Sequence, residues 1–215
     1  MTSRCGALHE ILDEAHRFRY PLSLSNAPPN GLYILFEEGE VGHGRNRIVR
    51  VGTHIGSNRL RKRLDDHFVK ESKDRSIFRK NIGRAILAQA HDPFLNQWEN
   101  DRTTRAARQE PLHPSDAHKL QEIESLVSSV LRHRFSFVLI RAEDKETRLR
   151  WESQIIATVS HCQECAPSPH WLGNHSPVEK IRESGLWLVN GLYGEPLGIE
   201  DLVQIDQHLV RKLDP

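Results

Sequence analysis

Two runs of strand-forming residues lie close together in this chain, and together they limit the folds open to it. The first, "GLYILFEE" (31–38), is rich in residues that favour strands, Tyr33, Ile34 and Phe36 among them. The second, "NRIVRVG" (46–52), alternates Ile48 and Arg50 with Val49 and Val51 and ends in glycine. Between them "EGEVGHGRN" is a glycine-bearing connection, so the pair predicts an antiparallel hairpin. A helix is predicted directly afterwards, in "SNRLRKRLDDHFV". Leu60, Leu64 and Phe68 form its apolar stripe, and Ser57 or Asn58 is placed to cap its start. Arg63 and His67 stand four residues apart and share a neighbouring face.

The rest of the chain adds helices and one more strand. Leu8, Ile11, Leu12, Ala15 and Phe18 fit an amphipathic helix over 6–19, closed off by "SNAPPNG". A helix over 76–90 is predicted, interrupted or weakened by Gly83. Residues 92–118 are polar and mixed. "AHKLQEIESLVSSVLRH" is helical by period, "FSFVLIRAE" (135–143) reads as a third strand, and 145–160 and about 199–212 read as helices. The pattern predicts an α/β domain with a central three-stranded antiparallel sheet flanked by helices. Its expected parts are an N-terminal helical extension (1–27), a main domain (28–190) with a variable excursion at about 92–118, and a C-terminal helix (191–215) packed on the domain.

The 215 residues carry 30 Lys and Arg against 29 Asp and Glu, a net charge of +1. No overall polycation signals nucleic acid, but the distribution is uneven. Between Arg59 and Arg84 ten basic residues face four acidic ones, a local field able to attract a polyanion. The N-terminal residues alternate charged and apolar, without the apolar core of a signal peptide, and no run is long enough for a membrane helix. Three cysteines make no disulfide framework, so a reduced, cytoplasmic compartment is expected.

Taken together, these pieces resemble the GIY-YIG nuclease family. Gly31-Leu32-Tyr33 stands for the first signature, and Arg50-Val51-Gly52 for the second in altered form. Arg63 and His67 match the family's helix motif, an arginine followed four residues later by histidine or tyrosine. Glu152, in "RLRWESQII", matches its metal-binding glutamate. The resemblance covers roughly residues 28–190. "KDRSIFRKNIGRAIL" and "WLGNHSPVEKIRESGLW" look like a bacterial branch of the family.

The resemblance implies a metal-dependent DNA endonuclease. Tyr33 would orient or deprotonate the attacking water, although it also suits a packed strand. Arg63 would clamp the scissile phosphate with its paired donors. His67 would donate to the phosphate or to the water network. Glu152 would bind Mg²⁺ or Mn²⁺, since one carboxylate suits an ion that keeps much of its water; otherwise it pairs along its helix with Arg148 or Lys145. Asn174 is a candidate for the family's asparagine, with His170 as the alternative. Arg59, Lys62 and Lys80 would contact the DNA backbone or face solvent.

The departure is Arg50, where the family has its second tyrosine. Arginine cannot act as a base. It either stabilises an ionised Tyr33 or contacts phosphate, or else the site is impaired. In that last case the chain is a non-catalytic nucleic-acid-binding module on the same fold. Cys162 and Cys165 form a CxxC with His161, His170 and His175 nearby, half of a zinc site or ordinary reduced thiols.

Overall fold

The computed structural model describes residues 3–109 and 112–211. Its centre is an antiparallel sheet of order β1-β4-β2-β3, with β1 Phe18–Arg19, β2 Gly31–Gly42, β3 Arg45–Gly52 and β4 Phe135–Arg141. The sheet therefore has four strands where the sequence pattern gave three. The extra edge strand is two residues long, too short for any alternation to reveal it. Phe18 pairs with Phe137 and stacks on its ring at 5.3 Å. Helix α1 accordingly ends at Asp13 and does not run on to Phe18.

The hairpin is longer and tighter than the pattern suggested. β2 and β3 pair out to Gly42 and Arg45, so only His43 and Gly44 form the turn. Both have positive φ (52° and 70°), as the two central residues of a type I′ hairpin turn require. One bulge in this pair matters for the site. Leu35 pairs with Arg50, but Phe36 pairs with Ile48, leaving Val49 as the extra residue. The bulge breaks the alternation, so Arg50 lies on the face of Leu35 and Tyr33 and not on that of Ile48.

Helices cover both faces. On the Tyr33 face pack α2 (Leu60–Phe68), α3 (Ile77–Gln89) and α6 (Pro114–Arg134). Here Leu60, Leu64 and Phe68 join Phe78, Ile82, Val127, Leu131 and Trp187 in one core. On the other face pack α1 (Arg4–Asp13), α7 (Lys145–Ser160) and α9 (Ile199–His208), which bury Leu8, Leu12, Trp151, Ile155 and Ile205 against Leu32, Ile34 and Ile48. The N-terminal helix is thus part of a core. The final helix ends at His208, and residue 212 of the expected span lies outside the described residues.

Three local details differ from the sequence reading. Neither Ser57 nor Asn58 caps α2, whose N-cap position is Arg59 without a side-chain bond. Asn58 instead takes a positive φ and exchanges hydrogen bonds with Asn30, its N–H donating at 2.7 Å, which ties the helix start to the foot of β2. Gly83 does not interrupt α3. A Cβ there would sit 2.2 Å from the Trp98 ring, so the glycine makes room for the indole. The excursion at 92–118 holds α4 (Leu95–Trp98), α5 (Arg105–Gln109) and the start of α6. The remaining helix, α8 (Glu179–Ser184), precedes the segment carrying Trp187, whose N–H donates to the Val49 carbonyl at 2.8 Å.

Candidate active site

The foot of the hairpin gathers residues from four elements. Tyr33 on β2 and Gly52 on β3 are cross-strand partners, and the phenol lies over the glycine. A Cβ at Gly52 would stand 2.2 Å from the Tyr33 oxygen, so only glycine fits beneath the ring. The Tyr33 hydroxyl meets His67 Nε2 of α2 at 2.7 Å. His67 Nδ1 meets Ser76 Oγ at 2.6 Å, and Ser76 caps α3 by accepting the Arg79 N–H. We assign the Nδ1–H tautomer, which leaves Nε2 to accept from Tyr33. Arg79 completes the frame, donating to the His67 carbonyl and pairing with Glu124 at 2.8 Å.

His67 is fully buried. Burial, reinforced by Arg63, Arg50 and Arg79, pushes its pKa well below the ordinary value, so the ring is neutral. Its two ring nitrogens are engaged by Tyr33 and Ser76. Tyr33 is also fully buried.

Arg50 lies beside this pair and lines the neighbouring cleft. It is 5 % exposed, lies over the Phe78 ring and donates from Nη1 to the Trp187 carbonyl. Its Nε has no hydrogen-bond partner among the described residues. Burial lowers its pKa, opposed by the nearby Tyr33 hydroxyl and Glu152, while Arg63 pushes in the same direction as burial. Glu152 projects from α7, and its Oε1 accepts the Thr53 N–H at 3.1 Å. Burial raises its pKa, partly offset by Arg50, the Thr53 N–H and Arg63. It makes no ion pair with Arg148 or Lys145; Arg148 instead donates to the carbonyls of Ala142 and Glu143.

Arg50, Arg63, Glu152, Thr53, Asn81 and Asn190 line a cleft of about 540 Å³. A second hollow of about 430 Å³ adjoins it, with Thr53, His54 and Arg63 common to both and Arg59 and Lys62 lining its far side. His54 is buried between two backbone groups, the Gly31 N–H and the Gly56 carbonyl. The two hollows together are lined by Arg50, Arg59, Lys62 and Arg63 and by the acids Glu152 and Asp66.

Not every predicted residue comes here. Asn174 lies in the 3₁₀ turn Leu172–His175 and donates to the carbonyls of Ser168 and Pro169, away from the cleft lining. Exposed His170 is not in the lining either. Asn81 and Asn190 are the asparagines that line the cleft with Glu152. The Trp187 N–H bond to the bulged strand leads the chain to Asn190, and only the apolar run just before "NG" hinted at it in the sequence. Lys80 donates to the Glu99 carbonyl and lies 3.6 Å from its carboxylate, outside both hollows. Lys62 lines the second hollow but pairs with Asp66 at 2.7 Å. Much of the basic excess read in the sequence is thus neutralised by acids: Arg79 by Glu124, Arg84 and Lys80 by Glu99, Lys62 and Lys70 by Asp66.

A family model described as the GIY-YIG domain matches residues 4–202. The chain belongs to the GIY-YIG family. Membership suggests a nuclease-type function and implies a nucleic-acid substrate. No curated protein and no solved structure matches the chain. Among the described residues, no helix is long and apolar enough to cross a membrane.

Proposed function

We propose that this GIY-YIG protein is a metal-dependent endonuclease that hydrolyses phosphodiester bonds in DNA. The observation that carries the reading is the convergence of Arg50, Arg63 and Glu152 on one cleft, with the Tyr33–His67 pair beside Arg50. Arg63 and Arg50 bind the non-bridging oxygens of the scissile phosphate and stabilise the charge that builds there. The pull of the phosphate on Arg50 draws it off Tyr33 and opens the phenol to water. Tyr33, its hydroxyl donating to His67 Nε2, orients the water by accepting its hydrogen bond; the water oxygen attacks phosphorus and its proton passes to solvent. The bond to the leaving oxygen breaks as the new one forms, and that oxygen departs with the electron pair and takes a proton from solvent water.

The donors of the cleft suit a hard divalent ion such as Mg²⁺ or Mn²⁺. Glu152 is the one carboxylate in its lining, one of its oxygens is fixed by the Thr53 N–H, and Asn190 adds an amide oxygen nearby. Glu152 would hold the ion, which when bound stabilises the leaving oxygen.

One observation favours a second reading, a nucleic-acid-binding module without catalysis. Tyr33 is wholly buried beside an arginine that replaces the second signature tyrosine. Plasmid and branched-DNA cleavage with Mg²⁺ or Mn²⁺, comparing the wild type with Glu152→Ala and Arg63→Ala, separates the two. The nuclease reading expects cutting that chelation and both substitutions abolish. Salt-sensitive binding without cutting on any substrate would support the module.

A further inference from the structure

The opposite end of the hairpin holds a second polar cluster that the cleft does not use. Cys5 and His9 stand four residues apart on α1, both buried. His43 occupies the hairpin turn, and buried Cys165 ends the 3₁₀ turn Gln163–Cys165. One ligand atom from each of these four residues lies within 4.8 Å of all the others. The Cys5 and Cys165 sulfurs are 3.5 Å apart, too far for a disulfide bond, and the Cys165 sulfur is 3.8 Å from His9 Nε2.

We propose that Cys5, His9, His43 and Cys165 bind one zinc ion, which ties the N-terminal helix to the hairpin tip and to the turn at 163–165. Two thiolates and two imidazoles are a common tetrahedral zinc set. With zinc at about 2.3 Å from sulfur and 2.1 Å from nitrogen, the edges of that tetrahedron run to roughly 3.3–3.8 Å, close to the 3.5 Å between the two sulfurs and the 3.8 Å from Cys165 to His9. Both histidines also have the remote nitrogen anchored as metal-bound imidazoles do. His9 Nδ1 lies 2.9 Å from the Cys5 carbonyl, and His43 Nδ1 lies 3.4 Å from the Glu164 carboxylate, which leaves both Nε2 atoms for the ion.

Soft thiolates with imidazoles select zinc over the hard ion suited to the cleft. Cys162, half exposed with its sulfur 3.1 Å from His43 Nε2, borders the site as a neighbour of the four. Of the four ligands the sequence reading held only Cys165, in its CxxC with Cys162. The completing ligands are not His161, His170 or His175 but come from Cys5 and His9, about 160 residues earlier, and from His43. Ten residues of extended strand separate His43 from Tyr33, about 30 Å, so this ion is structural and the inference stands apart from the catalytic reading.

The test is metal analysis of the full chain, made without a polyhistidine tag and purified under reducing, chelator-free conditions. The expected result is about one zinc per chain, lost in Cys5→Ser and Cys165→Ser, reduced in His43→Ala and kept in Cys162→Ser. Because those variants risk misfolding, the wild type is also stripped and reloaded with Co²⁺. Thiolate-to-cobalt charge-transfer absorption is expected, with a lower unfolding midpoint for the stripped protein. Zinc-free protein whose midpoint ignores added zinc, a Cys5–Cys165 disulfide by mass spectrometry, or iron in place of zinc would each overturn the proposal. Zinc kept in His43→Ala but lost in Cys162→Ser would overturn His43 as the fourth ligand.

Discussion

Arg47 and Arg50 stand three residues apart on β3, both buried, and their surroundings could hardly differ more. Arg47 donates to Glu40 from Nε and Nη2, at 2.9 and 2.6 Å, and from Nη1 to the Gly185 carbonyl, beside the Trp171 ring. Glu40 in turn accepts two bonds from Ser168. That network is complete. Arg50 has one backbone acceptor, an unpartnered Nε, and a carboxylate, Glu152, that is engaged by Thr53. Burying a charge without its own counter-ion costs stability. On the proposed reading, Arg47 serves the fold and Arg50 is kept for a charge that arrives from outside.

Glu40→Ala should do the most damage to folding. It strands the Arg47 charge in the core, and urea unfolding should show a loss of about 3–5 kcal/mol. Arg63→Ala should instead spare the fold, since Arg63 is partly exposed and its bond to the Arg75 carbonyl is long at 3.4 Å. The variant should lose about 10²–10³ in cleavage rate, as removal of one charge-stabilising donor does elsewhere.

One pH response can be assigned to His67. Its folded pKa is depressed from 6.5, mainly by burial, so below pH 6.5 the unfolded chain binds a proton that the folded one refuses. Its stabilising contribution is present above that value and is lost as pH falls towards the folded pKa, by up to about 1.4 kcal/mol per pH unit. Unfolding curves for wild type and His67→Gln should diverge in slope below pH 6.5, the variant being flatter; parallel curves would mean that the imidazole is not held neutral.

The smallest effects separate the cations of the two hollows from those outside them. Exposed Arg59 lines the second hollow without a carboxylate partner among the described residues, whereas Lys80 is held at Glu99. Arg59→Ala should lower the salt slope of DNA binding by about one. Lys80→Ala should leave that slope unchanged and alter stability by no more than about 0.5 kcal/mol.

Much of this was legible beforehand. The hairpin, α2, α3, β4 and α7 follow from period and glycine punctuation, and the spacing of Arg63 and His67 puts them on one side of a helix. What stayed hidden depends on events that local pattern does not encode. The bulge at Val49 moved Arg50 onto the Tyr33 face against the simple alternation. Asn190 reaches the cleft because Trp187 bonds to that bulged strand. Lys80 and Arg79 look like a free basic surface until Glu99 and Glu124, distant in sequence, fold against them. Of the Cys and His cluster only Cys165 was visible, for the same reason.

Arg50→Met offers the sharpest check, because methionine fills much of the same space without the charge. Single-turnover cleavage and urea unfolding should be measured on the same preparation. The rate should fall by about 10²-fold or more, while stability holds or rises as an uncompensated buried charge is removed. Full cleavage activity in this variant, or an unfolding penalty as large as that of Glu40→Ala, would mean that Arg50 is a structural arginine like Arg47 and that the cleft is not built around it.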